Sequence, residues 1–193
     1  MSAPPGRDEL RRRLEGSCPP DELAGSCSAS GVPAAVLVGL LAHPEGPSVI
    51  LTQRTAHLKN HASQISFPGG RVEPGDEGPE AAAMREALEE IGLPSDKVEL
   101  LGCLPLHETV TGFLVHPFVG WIEPPVELAL DSREVAEVFQ MPLSFVLDAG
   151  NHRWETVVID GQRHSFWVLY YAEHRIWGAT AAILVSLARV LAP

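Results

Sequence analysis

The 193-residue chain is short of the features that would place it in several large classes. It has three cysteines, Cys18, Cys27 and Cys103, with no C-x-x-C pair and no ligand spacing to its eight histidines. That excludes a zinc module and a disulfide-dense scaffold. Three reduced thiols are expected, and with them a cytoplasmic protein. No run reaches the roughly 18 apolar residues of a membrane span, and no apolar core follows the charges of MSAPPGRDELRRRLEG, as a secretory signal needs. Positive charge is scarce, with 14 Lys and Arg against 25 Asp and Glu and a net charge of −11. Neither nucleic acid nor an anionic membrane is therefore an expected partner. A phosphorylated small molecule is compatible with that balance, because a bound metal ion inverts the local electrostatics.

The composition, 45% hydrophobic and 20% charged, is that of a globular domain with a substantial core. Residues 1–32, rich in Pro, Gly and Ser, read as a flexible or loosely docked N-terminal arm carrying one short helix in RDELRRRLEG (7–16). The domain proper is 33–193. PAAVLVGLLA (33–42) and PSVILTQR (47–54) read as buried strands around the turn HPEGP. Pro79 at the start and Gly92 with Pro94 past the end bracket a helix over 79–91. Strands are expected at 98–110 and 113–122, and 133–147 is open between strand and helix. Asp160-Gly161 between β-rich runs marks a hairpin in 156–171, and 178–192 is an apolar helix. The exposed side of the 113–122 and 156–171 strands is a candidate homodimer surface. Mixed strands with two or three helices give an α/β or α+β sandwich.

The helix at 79–91 poses an electrostatic problem. On a helical wheel Met84, Leu88 and Ile91 centre near ~10° and Glu86, Glu89 and Glu90 near ~190°. Like charges at this spacing cost roughly 0.2–0.5 kcal/mol per pair, and no cation follows any of them at the favourable i+4 position. Arg85 lies to the side of the cluster. A solvated face is the ordinary explanation. Against it stands the entry loop FPGGRVEPGDEG, whose glycines let backbone approach a ligand closely. Three carboxylates and a nearby carbonyl make the oxygen-only environment that Mg²⁺ or Mn²⁺ prefers.

The stretch resembles the Nudix box, through Gly70, Glu77, Arg85, Glu86, Glu89, Glu90, Gly92 and Leu93. Six residues rather than the usual five separate Gly70 from Glu77. The resemblance implies a Nudix-type α/β/α sandwich with a mixed central sheet, and metal-dependent hydrolysis of a nucleoside diphosphate linked to another moiety. Glu86, Glu89 and Glu90 would be catalytic metal ligands for Mg²⁺ or Mn²⁺, with a backbone carbonyl from Gly69 or Gly70, Gly69 being the one named. Glu77 and Arg85 would pair as a structural brace. The general base varies in this family; Glu134, ahead of Glu137, is the candidate.

ILTQRTAHLKNHASQISFPGG (50–70) further resembles the coenzyme A diphosphatase branch, through Leu51, Thr52, Arg54 and Phe67-Pro68-Gly69-Gly70. Thr55, Lys59 and Ser63 stand where Ser or Ala, Arg and Gly are usual. The resemblance implies coenzyme A or its acyl derivatives as substrate, with Arg54, Lys59 and Arg71, and His57 and His61 beside them, as the cations for its phosphates. Two alternatives remain: the same chemistry on ADP-ribose, NADH or a dinucleotide, and a non-catalytic Nudix binding module.

Overall fold

The computed structural model describes residues 5–17, 31–57 and 63–192; Cys18, Cys27, Lys59 and His61 lie outside them. Helix α1 (Arg7–Leu14) precedes strands β1 (Val32–Leu41), β2 (Ser48–Arg54), β3 (Ile65–Ser66) and β4 (Gly69–Arg71). Helix α2 (Pro79–Ile91) is followed by β5 (Val98–Cys103), β6 (His107–Glu108), β7 (Phe113–Ile122) and β8 (Val135–Pro142). The short α3 (Leu143–Leu147), strands β9 (Arg153–Ile159), β10 (Gln162–Tyr171) and β11 (His174–Trp177), and α4 (Gly178–Val190) complete the chain. The open stretch 133–147 thus resolves into both types, a strand that hands over to a helix after Pro142.

The main sheet is mixed. β1 and β7 run parallel in register from Val32 opposite Phe113 to Leu41 opposite Ile122. The remaining pairings of this sheet are antiparallel, with order β3-β2-β1-β7-β5, β4 beside β1, β6 beside β7 and β8 beside β2. A second sheet, β11-β10-β9, is antiparallel. Its hairpin turns at Asp160 and Gly161, both at positive φ (51° and 78°), the geometry that Asp-Gly turns supply.

Alternation along β1 shows the layering. Ala34, Val38 and Leu40 join one apolar cluster with α4 and the second sheet, whereas Ala35, Leu37 and Leu41 join another with Ala83, Ala87 and Ile91 of α2. Side chains of period two therefore feed a core on each face, giving the α/β/α sandwich with a mixed sheet. The candidate dimer surface changes accordingly. β7 lies between β1 and β5 and is buried from Leu114 to Ile122, so it has no exposed side; Trp154, Val158 and Tyr170 of the second sheet are exposed.

α1 is docked. Leu10 and Leu14 are fully buried in the larger cluster, Arg7 and Arg11 pair with Glu99 of β5, and Ser17 donates to the Cys103 carbonyl at 2.6 Å. Cys103 is disulfide-bonded, contrary to the expectation of a reduced thiol, and the thiol argument for a reducing compartment falls with it. Among the described residues no helix is long and apolar enough to cross a membrane.

Burial of the α1 leucines generates a stability prediction. Leu14→Ala should cost about 2–5 kcal/mol in urea unfolding, and Arg11→Ala, which removes one end of an exposed ion pair, far less. Equal losses would show that α1 is held by charge and not by packing.

Candidate functional site

Helix α2 is bounded as its sequence dictates, with Pro79 at its first position and Gly92 at φ 66° after its last. Leu93 N–H closes onto Ala87 O at 3.2 Å. Its orientation is not the one the wheel gives. The buried residues are Ala82, Ala83, Ala87, Glu90 and Ile91, whereas Leu88 is 52% exposed. The helix is rolled by about a quarter turn, so that its alanines pack close to the sheet. That roll carries Glu90 to 4% exposure and leaves Glu89 at 58% and Glu86 at 17%.

Glu90 is therefore a buried carboxylate with two partners. Gly69 N–H donates to its Oε2 at 3.2 Å and Arg54 Nη1 to its Oε1 at 3.2 Å. Burial pushes its pKa up to about 7, against the lowering pull of Arg54 and the Gly69 amide; Glu86 and Glu134 add to the rise. Glycine is required at 69, where the clash is with backbone, while at 70 a side chain would displace the Glu86 carboxylate. A Cβ on Gly69 would overlap the Ala35 carbonyl, and one on Gly70 would overlap the Glu86 carboxylate.

The opening repulsion has a local answer that the i+4 search missed. Arg85 Nη1 lies between Glu86 Oε1 (2.9 Å) and Glu89 Oε2 (3.2 Å), the latter one turn along the helix. Arg85 is thus within the acidic cluster, not beside it. Its Nε and Nη2 form a fork on Asp76 at 2.9 and 3.1 Å, and Nη2 also donates to Arg71 O. The loop brace is therefore Arg85 with Asp76, and Asp76 stands where the box pattern named Glu77. The Arg85 fork, followed by the Glu73 amide, holds the Asp76 carboxyl below its ordinary value. Burial raises Glu86, although Arg85 opposes it.

The segment that leads into Glu134, the base candidate named from the sequence, completes the site. Ala129 N–H and Asp131 N–H cap the Ile91 and Glu90 carbonyls at 2.9 and 3.0 Å, satisfying carbonyls that a helix end leaves open. Thr55 binds the same segment from the other side, through its hydroxyl to Arg133 O and its amide to Glu134 O. Glu134 is thereby set 3.7 Å from Arg54 Nη2. Glu137 lies elsewhere, 3.8 Å from His174. Arg133, 87% exposed, is held by Asp131, whose carboxyl is lowered to about 2 by that guanidinium. The cue in the sequence was the D-S-R-E string, an acid and a base two apart.

Glu86, Glu89, Glu90, Asp131, Arg133 and Glu134 line one cleft. Of the expected phosphate ligands, Arg54 stands at its edge and reaches Glu90 and Glu134 of its lining, Arg71 is turned onto the Phe113 ring at 5.2 Å, and Lys59 and His61 lie outside the described residues. The donor set is all oxygen, which suits a hard divalent cation in kind. Among the described residues, however, no three His, Cys, Asp or Glu side chains are arranged to hold a metal ion. Both Glu90 oxygens and one oxygen each of Glu86 and Glu89 are bound by Arg54, Arg85 and the Gly69 amide.

The chain matches the NUDIX domain over residues 32–159. It is 41% identical over 155 residues to the uncharacterized Nudix hydrolase NudL of Escherichia coli K12, covering 80% of each chain. Among solved structures it resembles a Caenorhabditis elegans Ap4A hydrolase complex, with TM-score 0.50, 23% identity and coverage of 57% of this chain and 80% of that one. A MutT/nudix family protein from Enterococcus faecalis gives TM-score 0.51 and 18% identity, covering 97% and 73%. At these identities the structural likeness shows the fold.

Two outcomes follow from the site. Asp76→Asn should lower stability by about 1–3 kcal/mol in chemical denaturation, with Glu77→Gln near neutral; the reverse order would return the brace to Glu77. For Glu90 the sign is fixed by its raised pKa. Between its ordinary value of 4.5 and about 7 the folded chain keeps a proton that the unfolded chain releases. This contribution to stability is full below 4.5 and is lost as the pH rises through about 7. Without added divalent cation, the melting temperature of Glu90→Gln should be less pH-dependent across that window than that of wild type; parallel curves would show that Glu90 ionises normally.

Proposed function

The chain belongs to the Nudix hydrolases, and on that premise we propose that it cleaves the pyrophosphate bond of coenzyme A or an acyl derivative, releasing 4′-phosphopantetheine and adenosine 3′,5′-bisphosphate. The observation that carries this reading is the position of Arg54. It is the last residue of the Leu51-Thr52-x-Arg54 strand, and its guanidinium reaches the buried box carboxylate Glu90. A residue of the stretch that resembles the coenzyme A diphosphatase signature thereby contacts the box, which supports this reading.

Nudix hydrolases generally use divalent metal ions; bound here, Mg²⁺ or Mn²⁺ would neutralise the diphosphate and lower the pKa of an attacking water. Glu86, Glu89 and Glu90 would hold them, with the Gly69 carbonyl as a further oxygen. Glu134 is the general base in this reading: half-exposed, on the cleft wall, and held in place by the Thr55–Glu134 backbone bond. Coenzyme A carries a third phosphate besides its diphosphate, so its recognition needs cations beyond those of the chemistry. Arg71, whose guanidinium lies over Phe113, and Arg133, oriented by Asp131, supply fixed positive charge in an otherwise acidic protein. Lys59 is a third candidate from the sequence. A homodimer through the exposed aromatic side of the second sheet belongs to the same reading.

The second reading is the same hydrolysis of ADP-ribose, NADH or a dinucleotide, which the departures at Thr55, Lys59 and Ser63 favour. Turnover of coenzyme A, dephospho-coenzyme A, ADP-ribose and NADH with Mg²⁺ or Mn²⁺ separates the two. Coenzyme A should be preferred over its dephospho form, and Glu89→Gln should abolish release of phosphopantetheine. Glu134→Gln should lower kcat by about 10²–10⁴-fold with KM little changed. Equal use of coenzyme A and dephospho-coenzyme A would transfer the assignment to the second reading.

A further inference from the structure

We propose that Arg54 is a displaceable counter-ion of the box: it and a divalent cation compete for Glu90 Oε1, and the cation's arrival turns the guanidinium toward the substrate's diphosphate. This rests on the reading of the box as a divalent-cation site in a diphosphate hydrolase.

The two oxygens of Glu90 are not equivalent. Oε2 accepts the Gly69 amide, a backbone donor fixed by the pairing of β4 with β1. Oε1 accepts Arg54 Nη1, a side-chain donor at the end of four rotatable bonds. Only Oε1 is therefore open to exchange. The other end of the guanidinium is loosely held, with Nη2 at 3.7 Å from the half-exposed Glu134 carboxylate. Both of its contacts are cleft carboxylates.

Arg85 makes the contrast. It also neutralises box glutamates, but it is anchored by the Asp76 fork and by the Arg71 carbonyl, so it remains where the loop puts it. Of the two arginines, Arg54 is the one that can leave. A second cation on Oε1 would sit within a few ångströms of the guanidinium on a carboxylate almost closed to solvent, where like charges repel strongly. Arg54 is carried at the cleft edge by the register shift between Gln53 and Arg54, with its amide fixed to Gln64 O at 3.0 Å. Rotation of the side chain alone brings the fork into the cleft, and a guanidinium fork matches phosphate oxygens. Cation binding and diphosphate binding are then coupled through one side chain, and reciprocally so.

The test is Mn²⁺ titration of the full chain without substrate, read as loss of the free Mn²⁺ paramagnetic signal. Arg54→Gln should bind Mn²⁺ about five- to hundredfold more tightly than wild type. Arg54→Lys, which keeps the charge and loses the fork, should fall between them. Arg71→Gln, the same charge change without a cleft carboxylate partner, should stay near wild type. A residue that only supports the fold would loosen Mn²⁺ when replaced, so unchanged or weaker binding in Arg54→Gln overturns the inference. Should circular dichroism show that variant unfolded, Arg54→Lys decides by the same criterion. Failure of wild type to bind Mn²⁺, or indifference of Glu89→Gln, is a different result; it removes the metal reading of the box, and the inference with it.

Discussion

A carboxylate almost closed to solvent needs partners, and the partners of Glu90 come from different parts of the chain. The Gly69 amide belongs to β4 and Arg54 to the end of β2, while the carbonyl of Glu90 itself is capped by the 129–134 segment. An unpaired buried charge is expensive, so these three pieces are held to α2 by one residue. The roll of the helix that buries Glu90 also lays Ala83 and Ala87 against β1. Packing and electrostatics thus fix the same rotation. Glycine at 69 is the steric condition for it, since any side chain there would occupy the space of the β1 backbone.

Like charges remain clustered because two arginines attend them in different ways. Arg85 is part of the loop architecture, tied to Asp76 and to backbone, and spans Glu86 and Glu89 from a fixed base. Among the described residues, the polar contacts of the Arg54 guanidinium are with the Glu90 and Glu134 carboxylates. A Nudix cleft of this kind remains folded despite its clustered carboxylates, because one arginine is fixed among them and the other reaches them from the edge.

Strand and helix positions were largely legible in the sequence, since the bracket of Pro79 and Gly92 and the Asp160-Gly161 turn act within a few residues. The box residues were legible as a pattern. What failed was rotational. The wheel weighted Leu88 and Met84 by size, whereas the tight approach of α2 to the sheet selects alanine, so Leu88 faces out and Glu90 in. The Asp76–Arg85 brace was missed because loop geometry, with its extra residue, decides which acid reaches back. Glu134 was legible as a candidate, but the capping of α2 by the residues before it was not, because that contact is made by the backbone amides of Ala129 and Asp131, which carry no sequence signature. α1 was read as part of a flexible arm because the burial of Leu10 and Leu14 depends on β5 and α4, far along the chain.

The parallel pairing of β1 with β7 has a consequence for biosynthesis. Residues 42–112, including the whole box, lie between these central strands. Parallel neighbours require such a crossover, and long-range pairing is slow to form. On the ribosome, β1 and α2 emerge before the strand that completes the middle of the sheet. Until β7 is made, the apolar faces of β1 have no full cover, and its unpaired edge is open to other chains. The acidic cleft, whose wall includes residues of the 129–134 segment that caps α2, therefore cannot be complete before the chain beyond β7 has emerged.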